Sequence, residues 1–417
     1  MNRGSPNTAL SDPDSSIIPH ILLWVIQLVA LSAPPFRGRR AGFSVLIAVL
    51  AVYCNLNPHF TNDFGLAQPF SLAWSFYMNT LAMLLFSGPQ GPEGRYSRID
   101  KPKGEALSYP GFGWNKIQWA AVLMFNQRGI RWSHEVKNVR KSPKTERSRF
   151  LGTQFIRFVG YLCAADLLYE IHRRVNFTSL DGLVGNMDSK YLTVQHPDIV
   201  WRFAKTFSIG ALPFFMLSMQ YAQGAFFAVL FGLSQPEDWP PAFGSFQDMS
   251  TVRSFWGSFW HQQLRHMLTS YTDAFANFLG IPRGCNLSSY TKLYLAFLIS
   301  GSFHTLGQLH LPRPSNITAE DCALGFLLFF LWQAAAITLE DFVIYVRDRV
   351  AGKPSSPGTQ QLYTLLGYTW VFMSMWWSLP FVGNAVLRIR VGTESFAPFP
   401  LMRPIVEAYV PIPPGTP

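Results

Sequence analysis

An all-α, polytopic membrane helix bundle of about eight transmembrane helices is predicted by three properties of this chain. Of its 417 residues, 49% are hydrophobic, 15% aromatic and only 14% charged, whereas about 25% are charged in an ordinary soluble domain. Apolar runs long enough to cross a hydrocarbon layer of about 30 Å recur from end to end. The basic residues gather in the connections beside those runs rather than inside them.

In chain order, residues 1–16 are polar and read as a disordered N-terminus. Ile17 onward reads as an uncleaved anchor, because it lacks a small-residue cleavage pattern. The predicted spans are Ile17–Ser32, Phe43–Leu56, Gly65–Phe86, Phe150–Ile171, Phe203–Leu233, Leu293–Leu311, Cys322–Val346 and Tyr363–Leu387. The fourth carries Arg157, Asp166 and Glu170 and reads as tilted or partly interfacial; the fifth holds Pro213 and reads as kinked or broken. His266–Ile281 is amphipathic and too polar for a span, so a re-entrant or interfacial helix is expected there. Ser355–Gln361 reads as a flexible connector, and the proline-rich tail from Pro398 to Pro417 as non-helical. The chain divides into the N-terminal segment, one membrane domain over 17–387, and a tail over 388–417.

Lysine and arginine placement orients the bundle, since short basic loops stay cytoplasmic. Arg37, Arg39 and Arg40 follow the first span, and thirteen basic residues lie between Gly88 and Arg149. Residues 88–149 are expected to be a cytosolic basic loop with amphipathic elements on the membrane surface, marked by Trp114, Trp119 and Trp132. Arg347, Arg349 and Lys353 add a third cytosolic group, and the sequons at Asn176 and Asn316 fall on the lumenal side. Arg388 and Arg390 emerge there too, against the rule. The net charge of +10 is accounted for by anionic lipid headgroups, and base-reading modules are absent, so no nucleic-acid partner is expected. Cys54, Cys163, Cys285 and Cys322 lack metal-ligand or redox spacing and read as small buried hydrophobes.

Chemistry concentrates in two places. Ser300, His304 and Gln308 recur every four residues and share one face of a predicted span. An ionisable imidazole in hydrocarbon either packs by hydrogen-bonding to a neighbour or marks a functional site. Upstream, Phe255-Trp256-Gly257-Ser258-Phe259-Trp260-His261 places two tryptophans four apart, as on one helix face, with a histidine at the end. That run reads either as an interfacial aromatic belt or as part of the same site.

The pairing of Phe255–His261 with Leu298-Ile299-Ser300-Gly301-Ser302-Phe303-His304, some forty residues on, resembles the wax synthase branch of the membrane-bound O-acyltransferases. The resemblance covers roughly Trp201 to Leu387. The small fungal-type members that acylate terpenoid and meroterpenoid hydroxyls look closest, in length and in Leu339-Glu340-Asp341-Phe342. It implies His304 as catalytic base and His261 as the second polar catalytic residue. Thr305 stands where the family often has glutamate, which leaves the group that orients the imidazole open. Trp256, Trp260, Ser300 and Gln308 are the expected substrate-binding residues, with Arg253 and Arg265 flanking the aromatic run as candidates for the CoA phosphates. No permanent cofactor or metal is implied; acyl-CoA, with acetyl-CoA favoured, is the co-substrate, and the partners are the bilayer and a hydrophobic alcohol. The endoplasmic reticulum is the expected membrane.

The chemistry agrees with that implication. An alcohol is a poor nucleophile at neutral pH, so a neutral imidazole must accept its proton as it attacks a thioester. Long-chain wax ester formation is the competing acyltransferase reading. A non-enzymatic transporter or lipid-binding bundle is the other, although the duplicated halves expected of a transporter are not visible. His59 and Asp63 match HxxxD by spacing alone, and the nine histidines are too scattered for a di-iron site.

Overall fold

The computed structural model describes residues 9–142, 144–179, 182–183, 187–352, 356–394 and 399–414. Residues 1–8 of the polar start, Lys353, Ser355, and tail residues 398 and 415–417 lie outside the described residues.

Fourteen α-helices are found among the described residues: α1 (Ile17–Ser32), α2 (Arg39–Leu56), α3 (Phe64–Ser71), α4 (Trp74–Phe86), α5 (Gly91–Arg95), α6 (Trp114–Phe125), α7 (Arg147–Phe177), α8 (Ile199–Leu230), α9 (Val252–Ser254), α10 (Arg265–Phe278), α11 (Asn286–Gln308), α12 (Ala319–Val350), α13 (Pro357–Arg388) and α14 (Arg403–Tyr409). The only strands there form a two-residue hairpin pairing Thr178 with Leu183. Among the described residues, three helices are long and apolar enough to cross a membrane: α2, α12 and α13; α1 is a shorter apolar helix.

Side-chain contacts sort the helix ends onto two faces. One face joins the ends of α7 and α8 through Arg147 and the Leu230 carbonyl at 2.9 Å, and the ends of α11 and α12 through Tyr290 and Asp341 at 3.0 Å. The thirteen-cation segment lies on this face. The other gathers the start of α1 with the end of α11, where His20 meets His310 with ring centroids 5.4 Å apart, and the end of α13 with the start of α12. Arg388 and Arg390 belong to the second face, together with Asn176 and Asn316. They are accommodated there by partners: Arg388 pairs with Asp321 at 3.4 Å, and Arg390 donates to the Ser189 hydroxyl at 2.7 Å.

Several expectations are corrected. Residues 9–16 are not disordered: Leu10 bridges Pro314, and the amides of Asp14 and Ser15 donate to the His59 carbonyl. Gly65–Phe86 is two helices, with Pro69 in α3 and the chain breaking at Leu72 and Ala73. Pro213, by contrast, lies inside an unbroken α8, where packing along α7 offsets the lost hydrogen bond. The connector over 355–361 is mostly helix, because Ser356 caps α13 and Pro357 sits in its first turn. The tail holds α14, again with proline in the first turn. Asp166 in α7 accepts the Met402 amide at 2.8 Å, and Glu170 binds Arg173 and Arg403. Asp166 and Glu170 are thus bound by the returning tail, with Arg173 of α7 itself, while Arg157 is exposed. Cys54 and Cys322 are buried, but Cys285 is the N-cap of α11.

The basic segment is a folded layer, not a surface loop. Trp119 and Trp132 are buried, and only Trp114 stays exposed. Glu93 makes this possible: its carboxylate holds Arg39 at 2.6 Å and Lys116 at 3.1 Å, all three side chains being almost fully buried. Removing one member of a buried ion cluster leaves uncompensated charge. Glu93→Ala is therefore expected to destabilise the fold by about 3–5 kcal/mol, read as a lowered Tm with Arg39 and Lys116 left facing each other's charge.

His134 in the same layer packs against Tyr96 and His266, with centroids 4.7 and 4.8 Å away. Burial, with help from the charges of His266 and Arg95, drives its pKa from the usual 6.5 down to about 3. The native state therefore favours the neutral ring. Its contribution to stability is complete above the ordinary value and is lost as pH falls from there toward the native value. Thermal stability is expected to drop on acidification from about pH 7 to about pH 5, and His134→Gln to flatten that dependence.

Candidate active site

His304 lies one turn before the end of α11. Its Nδ1 is 2.7 Å from the Ser300 carbonyl, an acceptor only, so Nδ1 carries the proton and Nε2 keeps its lone pair. The Ser300 hydroxyl is farther, at 3.4 Å. The orienting group is thus the backbone of the preceding turn. Thr305 serves elsewhere, donating to the Ala323 carbonyl of α12 at 3.0 Å. The imidazole is held between Phe330 of α12, with centroids 4.6 Å apart, and Trp74 of α4, 4.9 Å away.

The aromatic run is not an α-helix. Phe255–Phe259 form a single π-turn continuing from α9, and Trp260 is extended. A π-turn at five residues per bond brings the Trp260 amide to the Phe255 carbonyl at 2.7 Å and stacks their rings at 5.8 Å. Trp256 and Trp260 therefore meet edge to face at 6.0 Å instead of sharing a helix stripe. The turn is fixed from several sides. Glu340 of α12 accepts the Val252 and Arg253 amides at 2.6 and 3.1 Å. Gln262 donates to the Trp256 and Trp260 carbonyls, and Asn138 of the basic layer donates to the Gly257 carbonyl at 3.0 Å. Trp256 Nε1 donates to Gln333 at 3.2 Å, and its ring lies 5.8 Å from that of Phe330. Phe330 thereby touches both motifs.

His261 follows directly, against Trp260 and Phe243, within electrostatic reach of His304. Its Nδ1 is buried without a partner. Both histidines are partly exposed. Arg265 donates to the Gly257 carbonyl at 2.7 Å and to Gln262 at 2.8 Å, so it braces the turn. Arg253 is half exposed and paired with Asp341 at the basic face. Gln308 is the last residue of α11. His59 contacts Asn62, and Asp63 caps α3, so that pattern forms a turn and a helix start.

Residues 239–332, which include both motifs and Phe330, match the model of the membrane bound O-acyl transferase family. Residues 146–230 match the C-terminal domain of aspirochlorine biosynthesis protein F. The chain is 40% identical to aspirochlorine biosynthesis protein F of Aspergillus oryzae over 232 residues, 55% of this chain and 90% of that protein. It is 31% identical to acetyltransferase ple2 of Rhodocybe pseudopiperita, over 68% of this chain and 69% of that protein. The chain belongs to the membrane-bound O-acyltransferase family. O-Mevalon transferase yanI of Aspergillus niger is also similar, at 28% identity over 64% of this chain and 62% of that protein. The bundle is accordingly the membrane-embedded, all-helical body of an acyltransferase.

Sequence reasoning missed Trp74, Asn138, Gln262, Phe330 and Gln333. Gln333 carried a signal, a fully buried amide inside a predicted span.

Proposed function

We propose that this enzyme moves an acetyl group from acetyl-CoA to a hydroxyl of a hydrophobic specialised metabolite such as a terpenoid or meroterpenoid. The observation that carries the reading is the imidazole of His304, its Nδ1–H held by the Ser300 carbonyl at 2.7 Å, with His261 within electrostatic reach. Nε2 takes the hydroxyl proton as the oxygen attacks the thioester carbonyl carbon. The carbon–sulfur bond then breaks, and the proton passes from His304 to the CoA thiolate. We place the proton of a neutral His261 on Nε2, which leaves the partnerless, buried Nδ1 as the bare nitrogen. It presents that N–H to the oxygen on which charge develops.

Eight helices, α1, α2, α4, α7, α8, α11, α12 and α13, serve as the membrane spans of one domain over 17–387, the short α4 together with α3 making up the third, with α9, the π-turn and α10 as a re-entrant piece. The basic layer faces the cytosol at the endoplasmic reticulum, where acyl-CoA arrives. Arg253 and Arg265 border that approach, Trp256 and Trp260 wall it, and Ser300 and Gln308 lie along the face of α11 that the substrates meet. Similarity to acetyltransferase ple2 favours the acetyl donor over the long-chain wax ester alternative. The test is to supply microsomes containing the enzyme with labelled acetyl-CoA or palmitoyl-CoA and a panel of terpenoid and fatty alcohols. Acetyl ester formation is expected; palmitoyl esters of fatty alcohols would replace this reading with wax ester synthesis.

A further inference from the structure

Trp74 occupies an unusual place. It opens α4 immediately after the break behind α3, and its side chain is buried. One edge of the indole meets His304 at 4.9 Å, and its face stacks on Phe303 at 5.6 Å. The indole also lines a small cavity bordered by His20, Cys54, Asn55, Phe70 and His310, with room for about one water molecule. The indole therefore stands as a partition between the catalytic imidazole and this cavity.

Its position is fixed by a backbone contact. A Cβ on Gly307, one turn beyond His304, would lie 2.3 Å from the Ser71 carbonyl oxygen, so only glycine lets the α3–α4 break press this close to α11. The helix break, the glycine and the indole together back His304 on this side. A donor arriving from the basic face meets His304 near the far end of α11, and Trp74 is the wall beyond it.

We propose that Trp74 sets the acyl-chain length of this enzyme: its indole closes the space behind His304 so that only a short acyl group fits, and the cavity behind it is the unused continuation of an acyl channel. This inference rests on the acyl-CoA reading above. Removing the indole merges the cavity with the catalytic space and leaves a void lined by Leu23, Phe70 and Tyr77 that an alkyl chain fills. Each added methylene then gains contact with apolar wall instead of colliding with a ring.

The test measures transfer from acetyl-, hexanoyl- and octanoyl-CoA to one acceptor alcohol by purified wild type, Trp74→Ala and Trp74→Phe. Wild type is expected to use acetyl-CoA and to discriminate against octanoyl-CoA. Trp74→Ala is expected to raise the octanoyl-to-acetyl ratio of kcat/KM by roughly tenfold or more, and Trp74→Phe, which keeps a ring, to stay close to wild type. An unchanged ratio in Trp74→Ala, or wild type using octanoyl-CoA as well as acetyl-CoA, would overturn the assignment. If Trp74→Ala does not fold, Trp74→Leu replaces it, with the same ratio deciding. A wild type that transfers no acyl group from any donor removes the acyl-CoA reading itself, and this inference with it, a result unlike a chain-length profile that fails to move.

Discussion

Acyl transfer by His304→Ala should fall by roughly 10²–10⁴-fold, the range for losing a positioned general base, while the protein remains folded. The size follows from the geometry. With Nδ1 bound to the Ser300 carbonyl at 2.7 Å, the ring cannot exchange its two nitrogens without breaking that bond, so Nε2 is permanently the basic atom. Among the described residues, the rings packed on that imidazole are those of Phe330, Trp74 and Phe326. Stability should suffer less than activity. The Ser300 carbonyl retains its place in the backbone ladder of α11, and the ring that is removed is a partly exposed one. His304→Gln sharpens the prediction, since a polar group of similar reach that cannot take a proton should be as inactive as alanine. The readouts are initial rate and the thermal unfolding midpoint of each purified variant.

Activity of His261→Ala should drop by about 10²–10³-fold, the cost of deleting one hydrogen-bond donor to a developing oxyanion. Here the conservative variants separate the roles. Asparagine or glutamine at 261 keeps an N–H and should recover a substantial part of the lost rate, whereas neither can act as a base. If His261 were the proton acceptor, both would be as inactive as alanine. The double variant His304→Ala/His261→Ala should be little worse than His304→Ala, because residues acting on one transition state are not additive. The surrounding turn gives His261 its rigidity: Gln262 bonds two carbonyls of the π-turn, and Arg265 and Asn138 hold a third.

Much of this architecture could be read from residue pattern alone, and its failures have physical causes. Ile17–Ser32 was legible to the residue, because an apolar run with a serine cap has no competing interpretation. His304 stood out because an imidazole within leucines and phenylalanines needs a reason to be there. The break in Gly65–Phe86 was signalled by Pro69, but hydropathy averages over proline, and the consequence lay five residues on, where the break delivers Trp74 to the catalytic ring. The π-turn was invisible because two tryptophans four apart fit an α-helix equally well. What selects the wider turn is tertiary: the Glu340 carboxylate capping α9 from 88 residues away. The basic layer was misjudged for the same reason. Charge density says surface, but Glu93 lets Arg39 and Lys116 be buried, and a pairing across the chain leaves no trace in local composition. Thr305 shows the converse. The missing acidic partner of the histidine was legible, but its replacement by the Ser300 carbonyl was not, since backbone partners have no residue type to reveal them.

The most direct test follows free CoA release from acetyl-CoA by purified wild type and His304→Ala, with and without an acceptor alcohol, alongside binding of the thioester to each protein. The account predicts acceptor-dependent release by wild type and none above background by His304→Ala, with thioester binding retained in both. Acceptor-dependent release by folded His304→Ala at the wild-type rate would contradict it.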